Sequence, residues 1–276
     1  MKALGFISSI ILVGAALVSS VSHAQTCTDP LRNQEVCQSM RHMKSQLLGL
    51  GAQRDLMQIN YPLLKELAAE INYVSTNVKD KVRIDDPSHV GGLIAITGMS
   101  EELIRQSSAN STESLMVANR IQTQCASCHA KENPASGYNW GKIFKNDWPQ
   151  FYTKCNEFDR NPYRCKSMHG MFSAYSNFFT ASQLGRENFE LARLNALEIA
   201  RIAGDLKDKG IFHEGGLALI TEVNQKALAV AKLAEQKDPE TFPKALAITE
   251  SCMQCHSDRN NYMNVNLKVS PFAKVK

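Results

Sequence analysis

The feature that most restricts how this 276-residue chain can fold is an internal duplication. The segment CQSMRHM at 37–43 matches CKSMHGM at 165–171, an offset of 128 residues. Further along, HVGGLIAIT at 89–97 matches HEGGLALIT at 213–221, an offset of 124. Matches that keep their order while the offset shifts slightly indicate two tandem copies of one domain with a few loop insertions.

Each copy also contains the string C-x-x-C-H near its end. The six residues are Cys125, Cys128 and His129 in the first copy, and Cys252, Cys255 and His256 in the second. This string is the haem c attachment signature, in which two thiols bond to the haem vinyl groups and the histidine is an axial iron ligand. On a helix the three side chains point to one side. We therefore predict two covalently attached haem c groups per chain.

A zinc site is the alternative interpretation of these strings. Zinc would require a fourth ligand beside each trio. The equivalent candidates in the two copies are methionine thioethers, which are poor zinc ligands. The duplicated string therefore favours haem.

Four segments in each copy place apolar residues at spacings of three and four, the pattern of amphipathic helices. In the first copy they are SMRHMKSQLLGL, LLKELAAEINYV, LIAITGMSEELI and SLMVANRIQTQC. The mature chain shows no alternating pattern bounded by hairpin turns, so a sheet protein is not expected. The sequence predicts an all-α protein of two tandem four-helix bundles, each with its haem c on the last helix.

The beginning of the chain has the pattern of a cleaved secretory signal. It has one basic residue, Lys2, then an apolar run over 3–18 and a small-x-small site ending at Ala24. The run is short for a membrane span, and no later segment approaches about 18 apolar residues. We expect export to the periplasm without a stable membrane span. The predicted divisions are a signal peptide at 1–24, a first haem domain at 25–147 and a second at 148–276.

Composition excludes two classes of protein. At 43% hydrophobic residues the chain is too apolar to be disordered. Without the signal it has 30 basic and 27 acidic residues, a formal charge of +3. That excess is too small to predict nucleic acid binding.

The four remaining cysteines repeat a ten-residue spacing, and an exported protein favours disulfides. Three connectivities are formally open. The duplicated spacing favours one local bridge per domain, Cys27 with Cys37 and Cys155 with Cys165.

The second axial position of each iron decides the function. Met40 with Met168, or Met43 with Met171, are the potential ligands that both first helices share. A thioether ligand suits haem iron and raises its reduction potential.

The histidines outside the C-x-x-C-H strings are weaker ligand candidates. His42 and His169 are not equivalent between copies, so we expect a surface or haem-edge role for them, with bis-histidine ligation as a minor alternative. His89 and His213 are equivalent and precede a Gly-Gly pair. We expect them to be turn or capping residues, with a ligand role as a minor option.

A four-helix bundle with C-x-x-C-H on its last helix resembles the class II cytochromes c, meaning cytochrome c prime and its low-spin relatives. That family has a Y-R-x-x-x-M-like pattern in its first helix, which Tyr163-Arg164 and Met168 match. The resemblance implies that Met168 faces the iron, and Met40 by repeat equivalence. The first copy departs from it, with Glu35-Val36 in place of Tyr-Arg, which implies haem edges of different polarity.

The predicted function is one-electron transfer between periplasmic redox partner proteins by a dihaem cytochrome with His/Met-ligated irons, and not enzymatic catalysis. The alternative is a gas-binding protein with five-coordinate haem that takes NO or CO. A dihaem peroxidase is disfavoured, because the late C-x-x-C-H positions differ from the class I domains of that family. The sequence permits an oligomer and names no particular partner.

Overall fold

The computed structural model describes residues 34–56, 59–81, 87–130, 161–212 and 214–257. These residues form helices and their connections without a strand, which confirms the predicted all-α fold class. The first half consists of α1 (Gln34–Asp55), α2 (Tyr61–Val78), α3 (Pro87–Ser108) and α4 (Glu113–Ala130). The second half consists of α5 (Pro162–Gln183), α6 (Phe189–Asp208), α7 (Glu214–Glu235) and α8 (Thr241–Ser257).

Within each half the four helices are neighbours in a closed ring. Helix α1 packs against α2 and α4, and α3 packs against the same two helices. The second half repeats this arrangement, with α5 and α7 each lying between α6 and α8. The fourth helix of each half therefore lies beside the first.

The second helix of each half begins in the same way. The side-chain oxygen of Asn60 accepts a hydrogen bond from the backbone N–H of Leu63 at 3.1 Å. Asn188, 128 positions later, accepts from Leu191 N at 3.0 Å. An asparagine cap satisfies a backbone donor that the first turn leaves unpaired. The duplication thus preserves the signal that starts each helix.

The buried apolar residues form two clusters, one centred in each half, and the first cluster also includes Leu191 and Leu194 of α6. In the first half the core includes Leu50, Leu64, Leu67, Ile71, Leu103 and Ile121. In the second half it includes Phe178, Ile199, Ile202, Leu206, Val230 and Ile248. Each of these side chains contributes about 1.5 to 3 kcal/mol when fully buried, before the opposing chain entropy is counted.

The two halves contact each other through their first and second helices. Helix α1 packs on α5, and α2 packs on α6. The contact is close at Gly170, where a Cβ atom would lie 2.9 Å from the Leu56 Cδ1 of the other half. The same point lies 2.9 Å from Ile202 Cδ1, so a side chain at position 170 would require the ends of Leu56 and Ile202 to move.

Several predictions concern residues that the structure does not describe. These are the signal peptide, the domain boundary at 147 and 148, and the role of His213. His89 lies inside α3, which begins at Pro87, so its position is the first turn of the helix and not a preceding turn. Among the described residues, no helix is long and apolar enough to cross a membrane.

Candidate functional site

Both C-x-x-C-H strings lie in the last turns of a fourth helix. Residues 125–129 lie in α4, which ends at Ala130, and residues 252–256 lie in α8, which ends at Ser257. Because both strings are helical, the positions i, i+3 and i+4 lie on one face of the helix.

The first cysteine of each string packs against the core of its half. Cys125 is buried within the first core, and Cys252 is half-buried against the second. The side chains of Cys128, His129, Cys255 and His256 lie outside the described residues. The two described thiols therefore pack against the apolar interior of their halves.

The four candidate methionines fall into two classes. Met43 is 3% exposed and Met171 is 7% exposed, and both are members of the cores. Met40 and Met168 are half-buried and pack at the edges of the same two cores. Each half therefore has one enclosed methionine and one at the core margin, on the helix beside the C-x-x-C-H string.

The surroundings of the two strings differ. In the second half Tyr175 of α5 lies near Cys252, and burial raises the pKa of its phenol. The position equivalent to Tyr175 is Leu47, which is buried and whose backbone oxygen accepts from Gln122 at 3.1 Å. The two C-x-x-C-H strings thus have the same placement on their helices but surroundings of different polarity.

The first helices also contain a disulfide-bonded cysteine each. Cys37 lies in α1 and Cys165 in α5, and both are in disulfides. Their predicted partners, Cys27 and Cys155, lie outside the described residues.

A buried polar network at the contact between the halves was not predicted from the sequence. His42 was expected at the surface or at a haem edge, but it is fully buried in this contact. Its Nε2 donates to Glu70 Oε2 at 3.2 Å, and its Nδ1 lies 2.9 Å from Thr180 Oγ1. A surface position for His42 is wrong, because α2 covers one side of α1 near this residue and α5 covers the other. His169, in contrast, is half-buried.

Glu70 is the centre of the network. Arg186 donates to its two carboxylate oxygens at 2.8 and 3.1 Å, and Asn188 Nδ2 donates to Oε1 at 2.7 Å. Burial alone would raise the pKa of Glu70, but the hydrogen bonds from His42, Arg186 and Asn188 outweigh it and lower the pKa to about 2. Arg186 also lies over the ring of Tyr73, 3.5 Å from its centroid. Glu70 is therefore ionised and fully paired, and most of its partners come from the second half.

The duplicated position, Glu198, has a related but different set of partners. Gln53 of the first half donates to Glu198 Oε1 at 2.9 Å, and Arg201 donates to the same oxygen at 2.7 Å. Arg201 also donates to Asp205 at 2.8 Å. A carboxylate on the apolar side of the second helix, repeated 128 residues later, is the sequence signal that could have located this interface.

No protein-family model matches this chain, and neither the curated proteins nor the solved structures contain a match to it. The function is therefore inferred from the positions and chemistry of the chain's own residues.

Proposed function

We propose that this protein is a periplasmic dihaem c-type cytochrome that transfers single electrons between redox partner proteins. In this proposal residues 25–147 and 148–276 are two four-helix-bundle domains with one covalent haem c each. The observation that supports it best is the repeated pairing of a C-x-x-C-H string with a core-margin methionine on adjacent helices. Both halves have this pairing at equivalent positions.

The described residues fit a covalent haem. Cys125 and Cys252 lie against apolar cores, so a porphyrin bonded to them would extend over apolar side chains and not over water. Positions 125 and 128, and positions 252 and 255, are three residues apart on a helix and so share one face, which is the spacing that two thioether bonds to one haem require.

The axial residues in this proposal are His129 and His256 on one side, and Met40 and Met168 on the other. A bound haem c supplies a one-electron iron couple, whose potential a thioether ligand raises. Met40 and Met168 pack at the core margin, where the first helix lies beside the fourth. Met43 and Met171 are already enclosed by apolar neighbours and would pack rather than ligate.

The role of the protein in this reaction is to hold the ligands rigidly. A methionine fixed by a packed first helix keeps the iron environment similar in both oxidation states, so little rearrangement accompanies electron transfer. The disulfides of Cys37 and Cys165, each about one turn before Met40 or Met168, restrain the beginnings of these helices.

Carbon monoxide binding with methionine variants tests the proposal. We expect the reduced wild-type protein not to bind CO, because a methionine occupies the sixth position of each iron. Met168→Ala should allow CO to bind at one haem per chain and lower the reduction potential of that haem. The matched control, Met171→Ala, should keep the wild-type spectrum while it destabilises the fold by about 2 to 5 kcal/mol. Met40 and Met43 should show the same contrast.

Two results would overturn this assignment. Stoichiometric CO binding by the wild type at both haems would replace electron transfer with the gas-binding function. An unchanged spectrum in Met168→Ala would mean that another residue is the sixth ligand.

A further inference from the structure

Helices α1 and α5, which join the two halves, run in opposite directions. Near the start of α1, His42 Nδ1 lies 2.9 Å from Thr180 Oγ1, near the end of α5. At the other end, Leu56 follows the last residue of α1 and lies beside Gly170, in the first half of α5. Residue numbers therefore rise along α1 as they fall along α5.

The fourth helix of the first half is aligned with the first helix by a hydrogen bond. Successive helices reverse direction at short connections, so α4 runs opposite to α1. Gln122 of α4 donates to the Leu47 backbone oxygen of α1 at 3.1 Å. Seven residues from this contact, back along α1 and on along α4, are Met40 and position 129. Met40 therefore lies at the level of the C-x-x-C-H histidine.

The second half has the same register. Helix α8 runs opposite to α5, and Tyr175 of α5 lies beside Thr249 of α8. Seven residues from this pair, in the same two directions, are Met168 and position 256. Seven residues are about two helical turns, so each methionine stays on the side of its helix that faces the fourth helix.

The two methionines are far apart along the α1–α5 pair. The point where a Cβ of Gly170 would be lies 4.0 Å from Ala52 Cβ and 2.9 Å from Leu56 Cδ1, so Met168 is level with about position 56. That level is about 16 residues beyond Met40, or about 24 Å at the rise of an α-helix. The axes of two packed helices add a lateral separation of about 8 to 10 Å.

Both methionines also lie away from the contact between the halves. Met40 precedes His42 by two residues, and Met168 precedes Gly170 by two. Two residues turn an α-helix through about 200°, so each methionine and its neighbouring contact residue lie on nearly opposite sides. Irons bound at Met40 and Met168 would therefore lie outside the α1–α5 pair and farther apart than the methionines.

We propose that the two haem sites are separate one-electron centres at opposite ends of the α1–α5 pair, with at least about 25 Å between the irons. This inference rests on the proposed function, because it takes Met40 and Met168 as axial ligands. The rate of electron tunnelling falls exponentially with distance, so exchange between the two haems of one chain is slow. Each haem therefore exchanges electrons with partner proteins at its own end of the molecule.

The distance between the irons of the oxidised wild-type protein tests this arrangement. Pulsed dipolar electron paramagnetic resonance between the two ferric haems should give at least about 25 Å. The variant Cys252→Ala/Cys255→Ala, which cannot attach the second haem, is the matched control and should show no dipolar modulation. A distance below about 20 Å, or two interhelical spacings, would overturn the inference and leave the proposed function intact. A chain without a ferric haem signal would contradict the proposed function itself.

Proton magnetic resonance of the half-reduced protein tests whether the two haems exchange electrons directly. Fast exchange within a chain would give each haem methyl group one signal, averaged between its oxidised and reduced positions. We expect separate signals for the two states, with an exchange rate that falls on dilution, because electrons then pass only between chains. Averaged signals that persist on dilution would overturn the proposal.

Discussion

Removal of Arg186 should show how strongly the two halves are held together. Glu70 is 1% exposed and Arg186 is 31% exposed, and the pair is joined by hydrogen bonds of 2.8 and 3.1 Å. Arg186→Gln introduces the residue that the first copy has at the equivalent position, Gln58. It leaves a buried carboxylate with only His42 and Asn188 as partners.

The magnitude follows from the burial of the carboxylate. Breaking a buried ion pair by removal of one partner typically costs about 3 to 5 kcal/mol. Arg186 is partly exposed, and two hydrogen-bond partners of Glu70 remain, so we expect a loss of about 2 to 3 kcal/mol at neutral pH.

An exposed pair in the same half provides a matched control. Arg193 is also 31% exposed and bonds to Glu190 at 2.7 Å, but Glu190 is 51% exposed. Arg193→Gln should cost at most about 0.5 kcal/mol, because exposed pairs at i,i+3 contribute little. The difference between the stability losses of the two variants measures the effect of burying the carboxylate.

The pH dependence of the stability lost in Arg186→Gln tests the same reasoning a second time. The folded-state pKa of Glu70 is lowered from 4.5 to about 2, so its stabilising contribution is present above pH 4.5 and is lost as the pH falls toward 2. The shift corresponds to roughly 3 kcal/mol in all. The difference in unfolding free energy between the wild type and Arg186→Gln should therefore become smaller as the pH falls from 4.5 to 2.

Guanidinium unfolding of the purified protein, monitored by far-ultraviolet circular dichroism at several pH values, measures both effects. Equal losses for Arg186→Gln and Arg193→Gln would contradict the reasoning. A gap that stays constant between pH 4.5 and 2 would contradict it as well.

Two other predictions concern packing and the disulfides. Gly170→Ala should destabilise the fold by about 1 kcal/mol, because the new methyl group meets Leu56 of the other half and Ile202 of its own half. Gly98→Ala should stabilise the fold by about 0.5 to 1 kcal/mol, because alanine favours helix and, among the described residues, no atom outside the neighbouring helix backbone lies within 4 Å of that Cβ. Thermal unfolding of both variants measures this, and shifts of the same sign would refute the packing argument. The double variant Cys27→Ala/Cys37→Ala should lose about 2 to 3 kcal/mol, as expected for removal of a bridge that closes a short loop. Unreduced peptide mapping that joins Cys37 to a cysteine other than Cys27 would contradict this pairing.

The helices could be predicted from the sequence because their signals are local. The apolar spacing in LLKELAAEINYV and the asparagine before each second helix lie within one or two turns. Because the domain is duplicated, the helix signals of the first copy occur again in the second copy. The positions of the C-x-x-C-H strings on the fourth helices follow from the same signals.

The repeated carboxylate could have located the contact between the halves, but its hydrogen-bond partners could not be predicted, because many of them lie more than 100 positions away in the sequence. His42 has no equivalent histidine in the second copy, so the comparison of the repeats gave no reason to expect a role for it. In the structure it bonds to Glu70 of its own half and contacts Thr180 of the other half. The sequence pattern also could not decide whether Met40 or Met43 lies at the core margin, since the two residues are three positions apart and lie on nearly the same face of α1. Their rotation about the helix is set by how α1 packs between α2, α4 and α5.

The central claim is that each chain carries two covalent haems, one at Cys125 and Cys128 and the other at Cys252 and Cys255. The most direct measurement is the intact mass of the denatured protein, produced with its cytochrome maturation system and extracted with acidified acetone. The proposal predicts that the protein keeps the mass of two haems and that the organic phase stays colourless. A protein of unmodified mass, with haem in the organic phase or with no haem at all, would contradict it.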